Sequence, residues 1–235
     1  MNIAIIPARG GSKRIPRKNI RNFCGKPMLA YAIAAAEKSH CFDRIIVSTE
    51  DQEIAEVAIA FGAEVPFSRP QELADDYTGT RPIIRHAIQQ LMTEGVKPEF
   101  CCCIYPTAPL LQSESLQQAL NKLQQNPAVE FVFSAARFSF PIQRALLQTA
   151  SGGVMPFDPV SIVKRSQDLP ATYHDAGQFY WGRTAAWLDP MASSFSERSR
   201  MQLLPEHLVQ DIDTEDDWFR AELLYKILQS SPSQS

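Results

Sequence analysis

Nowhere in this chain do apolar residues run together long enough to cross a membrane, which takes about 20 of them. The opening apolar run turns charged at Arg9, too early for the core of a secretory signal. Cysteine is sparse: Cys101, Cys102 and Cys103 are consecutive inside an apolar run, Cys24 and Cys41 stand alone, and no CxxC or Cys/His spacing occurs. That pattern gives neither a zinc site nor a disulfide framework, and it leaves the cysteines as small hydrophobes. Together these absences lead us to expect a cytoplasmic protein. No Ser/His/Asp or Cys/His order points to covalent catalysis; His40, His86 and His207 read as surface or helix positions, and His174 receives no role. The net charge of −3 gives no broad basic face, so no nucleic-acid partner is expected. Neither standard phosphate motif is present, the Walker GxxxxGK[ST] or the dinucleotide GxGxxG, and there is no internal repeat.

Acidic residues are also missing from one particular place. The first 26 residues hold seven Lys or Arg and no Asp or Glu. Here Ile3-Ala4-Ile5-Ile6 reads as a buried strand, which Pro7 should stop because it has no N–H for a ladder. Arg9, Gly10, Gly11 and Ser12 follow, then Lys13, Arg14, Arg17 and Lys18. Adjacent glycines let backbone N–H groups come close to a ligand. Cations packed around such a turn describe a site for a polyanion, most simply a polyphosphate.

The rest of the chain alternates. A helix is expected over 28–39, with Pro27 in its first turn, and a strand over 44–49. Residues 49–52 resemble a capping box opening a helix that stops at Gly62, and a short third strand follows over 64–67. Further on we expect a helix over 80–92, a fully buried strand over 100–105, a helix over 113–123 and a strand over 131–135. This βαβαβ rhythm predicts a three-layer α/β fold, an open, mainly parallel, Rossmann-like sheet with helices on both faces. Between about 134 and 172 the pattern loosens into an insertion. Its Phe138, Phe140, Ile142, Leu146 and Leu147 are too many apolar groups to leave in water, so a second copy of the chain is the expected cover. Regular structure resumes at 177–181, and the last helix spans about 214–228. We therefore expect one domain over 1–229 and a disordered polar tail over 230–235.

Asp211-Ile212-Asp213 precedes that last helix. In an extended segment its two carboxylates point to one side, a natural Mg²⁺ site to be shared with substrate phosphates. Helix capping by Asp213 or Thr214 is the competing reading. Open α/β sheets bind ligands at the carboxyl ends of their strands, where the glycine turn, the Arg69 loop and the Pro106-Thr107 turn should all lie.

The string from Ile6 to Asn19, IPARGGSKRIPRKN, with Gly25-Lys26-Pro27 shortly after, closely resembles the signature of the cytidylyltransferases that activate sialic-acid-like sugars. The resemblance covers nearly the whole chain and implies a nucleotidyltransferase fold, CTP and a nonulosonic acid as substrates, Mg²⁺ and a homodimer. It implies that Arg9, Ser12 and Lys18 hold the triphosphate, that Asn19 touches the ribose, and that Arg69 and Thr80 line the cytosine pocket; Gly10 and Gly11 of the turn are counted with the nucleotide-binding residues. Arg9, Lys18 and Asp211 would be catalytic, and Asp211 and Asp213 would bind the metal. Lys13, Arg14 and Arg17 read as an outer field. Tyr105 stands where sialic acid enzymes carry glutamine in a Q-P-T-S-P string, and residues 173–181 also depart from those enzymes. Both departures resemble the branch that activates pseudaminic acid. Tyr105, Thr107, Gln178 and Tyr180 would then face the sugar, or Gln178 and Tyr180 would lie on the wet face of an edge strand. The insertion would form the dimer contact and send Arg165, beside Lys164, into the neighbour's site. Sialic or legionaminic acid is the alternative substrate, and a non-catalytic nucleotide-binding regulator the alternative of another class.

Overall fold

A computed structural model describes residues 1–75 and 77–230. In chain order the strands are β1 (Asn2–Pro7), β2 (Asn22–Phe23), β3 (Lys26–Pro27), β4 (Arg44–Ser48), β5 (Phe100–Ile104), β6 (Phe131–Arg137), β7 (Leu146–Gln148), β8 (Val154–Pro156), β9 (Tyr173–Arg183) and β10 (Ser199–Leu203). The helices are α1 (Met28–Ser39), α2 (Gln52–Ala60), α3 (Thr80–Thr93), α4 (Ser113–Gln125), α5 (Thr184–Leu188) and α6 (Glu215–Ser230).

Six strands form the main sheet in the order β10-β6-β9-β5-β1-β4. β1 runs parallel to β4 and β5, and β10 parallel to β6; β9 alone is antiparallel to both its neighbours. The pleat sends successive side chains to opposite faces, and Ile3 to Ile6 of β1 and all of β5 are apolar and buried because both faces are covered. Ala4, Ile6 and Cys102 pack with α1, α2 and α4 on one side. Ile3, Ile5, Cys101 and Cys103 pack with α3 and α5 on the other. This is the expected three-layer α/β architecture. The cysteine triplet serves it as small hydrophobes, and burial pushes the Cys101 thiol up to about 12. Two fully buried tryptophans satisfy their ring N–H groups on backbone carbonyls: Trp181 on Leu116 at 3.1 Å and Trp187 on Cys101 at 3.0 Å.

A third, smaller core lies under the basic turn. Ile15, Phe23 and Met28 pack there against Ile212, Trp218 and Ala221, with Tyr31 and Tyr225 at its margin. It fastens α6 to the start of the chain, and Arg21 adds a guanidinium 4.5 Å from the Trp218 ring and an ion pair to Glu215 at 2.6 Å.

Several boundaries differ from those read in the sequence. Pro7 is the last residue of β1 rather than its stop, since the next N–H, that of Ala8, still reaches Ser48 at 3.0 Å. The expected strand over 64–67 is only two isolated bridges, Ile46 to Glu64 and Thr49 to Ser68, because Pro66 between them has no N–H to extend the ladder. The cap of α2 is Asp51, whose carboxylate accepts the Ile54 N–H at 3.0 Å. β6 keeps residues 134–137 in the sheet, so the insertion runs over 138–172 and contains the β7–β8 hairpin. β9 fills the sheet centre, which removes the edge-strand reading of Gln178 and Tyr180. α5 and β10 were not expected. Of the expected tail, Ser230 closes α6 and the remainder lies outside the described residues.

Candidate active site

At the carboxyl ends of β1 and β5 a cleft of about 550 Å³ opens between the basic turn and the start of α3. Among the described residues five cations line it, Arg9, Lys13, Arg14, Lys18 and Arg69, against two carboxylates, Asp75 and Asp213. Such a wall favours a compact polyanion.

On the turn side, Arg9 Nη1 donates to the Asp75 carbonyl at 2.5 Å, and Asn19 Nδ2 donates to the Arg9 carbonyl at 2.9 Å. The loop before α6 comes alongside. Lys18 Nζ donates to the Ile212 carbonyl at 2.5 Å and stands 3.6 Å from Asp213, and Arg14 pairs with Asp213 at 2.8 Å. Ile212 is fully buried in the small core, while Asp211 and Asp213 on either side of it are not. That alternation is the extended geometry in which both carboxylates share a side. The Asp211 carboxyl is held above the ordinary carboxylate range, first by desolvation and then by the charge of Asp213. α6 is capped further along: Asp217 accepts from the Thr214 N–H at 2.9 Å and from its hydroxyl at 2.7 Å. Capping therefore falls to Thr214 and Asp217, and neither Asp211 nor Asp213 takes part in it through its side chain. Among the described residues no group of three or more metal-ligating side chains forms. The pair fits a hard cation whose remaining oxygens come from outside the chain, the usual habit of Mg²⁺ beside phosphates.

On the opposite side, Thr80 Oγ1 and Tyr105 Oη lie 3.0 Å apart, and Thr107 lines the floor. A second hollow of about 360 Å³ continues from these two residues and is lined by Tyr180, Trp187 and Phe195. The Tyr180 ring lies 5.7 Å from Tyr105, and its hydroxyl donates to Asp175. Residues five apart on a regular strand face opposite sides. Asp175 and Tyr180 meet because β9 carries a bulge, with a register shift against Phe133 to Ala135, Gly177 at φ 61°, and the Ser134 hydroxyl accepting the N–H groups of Gln178 and Phe179.

Thus Arg9, Ser12, Lys18, Asn19, Arg69, Thr80, Tyr105, Thr107 and Asp213 come together around one cleft, and Tyr180 lines the adjoining hollow. Other expected residues stand elsewhere. Gln178 is buried, its amide spent on the Leu208 carbonyl at 2.5 Å, so it braces the loop leading to Asp211. Gly10 gives its N–H to Glu50 at 2.8 Å rather than to the cleft, and open space surrounds Gly11. Arg17 departs from the outer field, pairing with Asp51 and with Glu53 at 2.5 Å, whereas Lys13 and Arg14 reach the cleft. Arg165 lies on the insertion, paired with Asp168 at 2.7 Å, outside its own chain's cleft. Glu50 and Asp75 were missed. The parallel pairing of β1 and β4 puts Glu50 at the same sheet end as the turn, which is the signal that could have found it.

A family model described as cytidylyltransferase matches residues 3–224. A Campylobacter jejuni protein named pseudaminic acid cytidylyltransferase is 45% identical over 230 residues, 98% of each chain. A Legionella pneumophila protein named CMP-N,N'-diacetyllegionaminic acid synthase is 37% identical over 118 residues, about half of each. Among solved structures, a CMP:2-keto-3-deoxy-manno-octonic acid synthetase complexed with CTP superposes with a TM-score of 0.73 at 16% identity, over 98% of this chain and 99% of that one. At that identity the likeness speaks for the fold.

Proposed function

The chain belongs to the cytidylyltransferase family, and from that premise we propose that it transfers CMP from CTP to pseudaminic acid and releases pyrophosphate. The observation that carries the reading is the cleft itself: a cationic wall facing Thr80 and Tyr105, with a second hollow opening beyond them. In this reading Arg9, Ser12 and Lys18 hold the triphosphate, Asn19 meets the ribose, and Arg69 and Thr80 flank the base. The sugar acid lies against Tyr105, Thr107 and Tyr180. Its anomeric oxygen attacks the α-phosphorus, the bond to the β-phosphate breaks, and the hydroxyl proton leaves with pyrophosphate or solvent. The chain's own contribution is alignment and charge stabilisation on the leaving phosphates by Arg9 and Lys18. Asp211 and Asp213 would hold Mg²⁺, which when bound supplies positive charge to the phosphates.

A homodimer is part of the proposal. Phe140, Leu146, Val154, Val160 and Val163 on the insertion are all more than half exposed, supporting a second copy of the chain as their cover. Arg165 would then reach the neighbour's sugar acid. A cytoplasmic setting is supported by five free cysteines. Among the described residues no helix is long and apolar enough to cross a membrane.

The test is pyrophosphate release from CTP with pseudaminic, legionaminic and sialic acids in parallel. We expect pseudaminic acid to be preferred by at least tenfold in kcat/KM. Preference for either of the others would reassign the sugar, and no release with any would sink the reading.

A further inference from the structure

The turn that carries Arg9, Ser12 and Lys18 is shaped from outside, by two consecutive carboxylates at the end of β4. Glu50 Oε1 accepts the Gly10 N–H at 2.8 Å. Its other oxygen accepts from Arg69 Nε at 3.2 Å and Nη2 at 2.7 Å, and Arg69 Nη2 also donates to the Ala8 carbonyl at 2.8 Å. One carboxylate therefore spans both walls of the cleft. Asp51 braces the same turn: a Cβ on Gly10 would run into its carboxylate, which also takes Arg17, a residue held at φ 54°. Asp51 thus excludes a side chain at residue 10.

Glu50 does not line the cleft, and both its oxygens are engaged by protein donors. A bare carboxylate beside a polyphosphate site would repel the ligand; here it is neutralised by a guanidinium whose side chain is only 1% exposed. Burial costs the Arg69 guanidinium its hydration, and the Glu50 carboxylate is the charge set against that cost.

We infer that Glu50 is a positioning residue of the nucleotide cleft, locking the Arg69 guanidinium and the glycine turn at one fixed separation before the nucleotide arrives. Walls fixed in advance need not be ordered on binding, so affinity for the nucleotide is the quantity that depends on them. The inference rests on the reading of the cleft as a CTP site.

Steady-state kinetics on Glu50→Gln, Glu50→Asp, Arg69→Ala and the Glu50→Gln/Arg69→Ala double variant test it, with calorimetric titration of CTP alone into each. For Glu50→Gln we expect KM and Kd for CTP to rise at least tenfold, while kcat at saturating CTP stays within about threefold and KM for the sugar acid is unchanged. Glu50→Asp should recover part of the loss, and carries the test if Glu50→Gln does not fold. The double variant should bind CTP no worse than Arg69→Ala alone, since the glutamine carbonyl can still accept the Gly10 N–H and only the pairing with Arg69 is lost. A purely structural role would lower kcat through loss of folded enzyme and leave KM where it was. Unchanged KM for CTP, or losses that add in the double variant, would overturn the inference. A wild type that binds no CTP would sink the functional reading, and this one with it.

Discussion

Lys18 and Arg14 reach the same carboxylate, Asp213, from unequal positions: the Lys18 side chain is 19% exposed and also holds the Ile212 carbonyl, while that of Arg14 is 67% exposed. Exposed pairs contribute little. We therefore expect Lys18→Ala and Arg9→Ala to lower kcat/KM by about a hundredfold or more, the loss typical of a group stabilising charge in the transition state; Arg14→Ala should cost less than about tenfold. Equal losses in all three would replace direct contact with a diffuse field. Arg17 belongs to a different ledger. Its hydrogen bond holds the Asp51 carboxyl down from 3.8 to about 2. A depressed carboxyl adds stability that is complete above its ordinary pKa and is lost as the pH falls through the folded value. Asparagine can still cap α2, so Asp51→Asn isolates the charge. The variant should melt a few degrees below wild type near neutrality, with the gap closing between about pH 4 and about pH 2. A gap that persists unchanged at the acid end would leave Asp51 a cap and nothing more. Arg17 was read as one cation in a run because a local string carries no trace of a partner 34 residues away.

β9 is the element on which the second hollow depends. Its bulge turns Tyr180 toward Asp175 and Tyr105, and Gly177 at φ 61° makes the bulge affordable. An alanine there costs about 1–2 kcal/mol. We expect Gly177→Ala to raise KM for the sugar acid more than KM for CTP, measured with the other substrate saturating; equal shifts would detach the bulge from sugar recognition. At this scale legibility varied with periodicity. α1, α3 and α4 were readable because Leu29 with Ile33, Ile84 with Ile88, and Leu116 with Leu120 recur at helical spacing beside recognisable ends. β5 was readable because five consecutive buried apolar residues leave little else to be. β10, Ser-Arg-Met-Gln-Leu, was not: it is an edge strand with one buried side chain, so its pairing with β6 decides its conformation and its composition does not. The bulge was equally hidden, since a hydroxyl from Ser134 on another strand holds it. In the site, the glycine turn and the aspartate pair stood out as local strings, whereas Glu50, Asp75 and the true place of Gln178 needed the sheet order.

For the whole molecule, the insertion sets the prediction. If Arg165 serves the neighbouring site, an inactive Arg165→Ala chain mixed with an inactive Asp211→Asn chain, under conditions that exchange subunits, should regain activity, because one site of the mixed dimer holds both groups. A fully active monomer, or no recovery despite proven exchange, would confine the site to a single chain. The small core beneath the basic turn has a consequence in time rather than in space. Ile15, Phe23 and Met28 lie about 195 residues ahead of Ile212, Trp218 and Ala221, the groups that cover them. At ~5–20 residues per second a ribosome takes roughly 10–40 s to make that stretch. Throughout that interval the nascent chain displays a cluster of cations and an unfinished apolar floor, with Asp213 and Glu215 still to be synthesised. Newly begun copies of this protein are therefore the ones most exposed to capture by cellular polyanions and chaperones, and arrival of the last helix ends that exposure at the moment it completes the site.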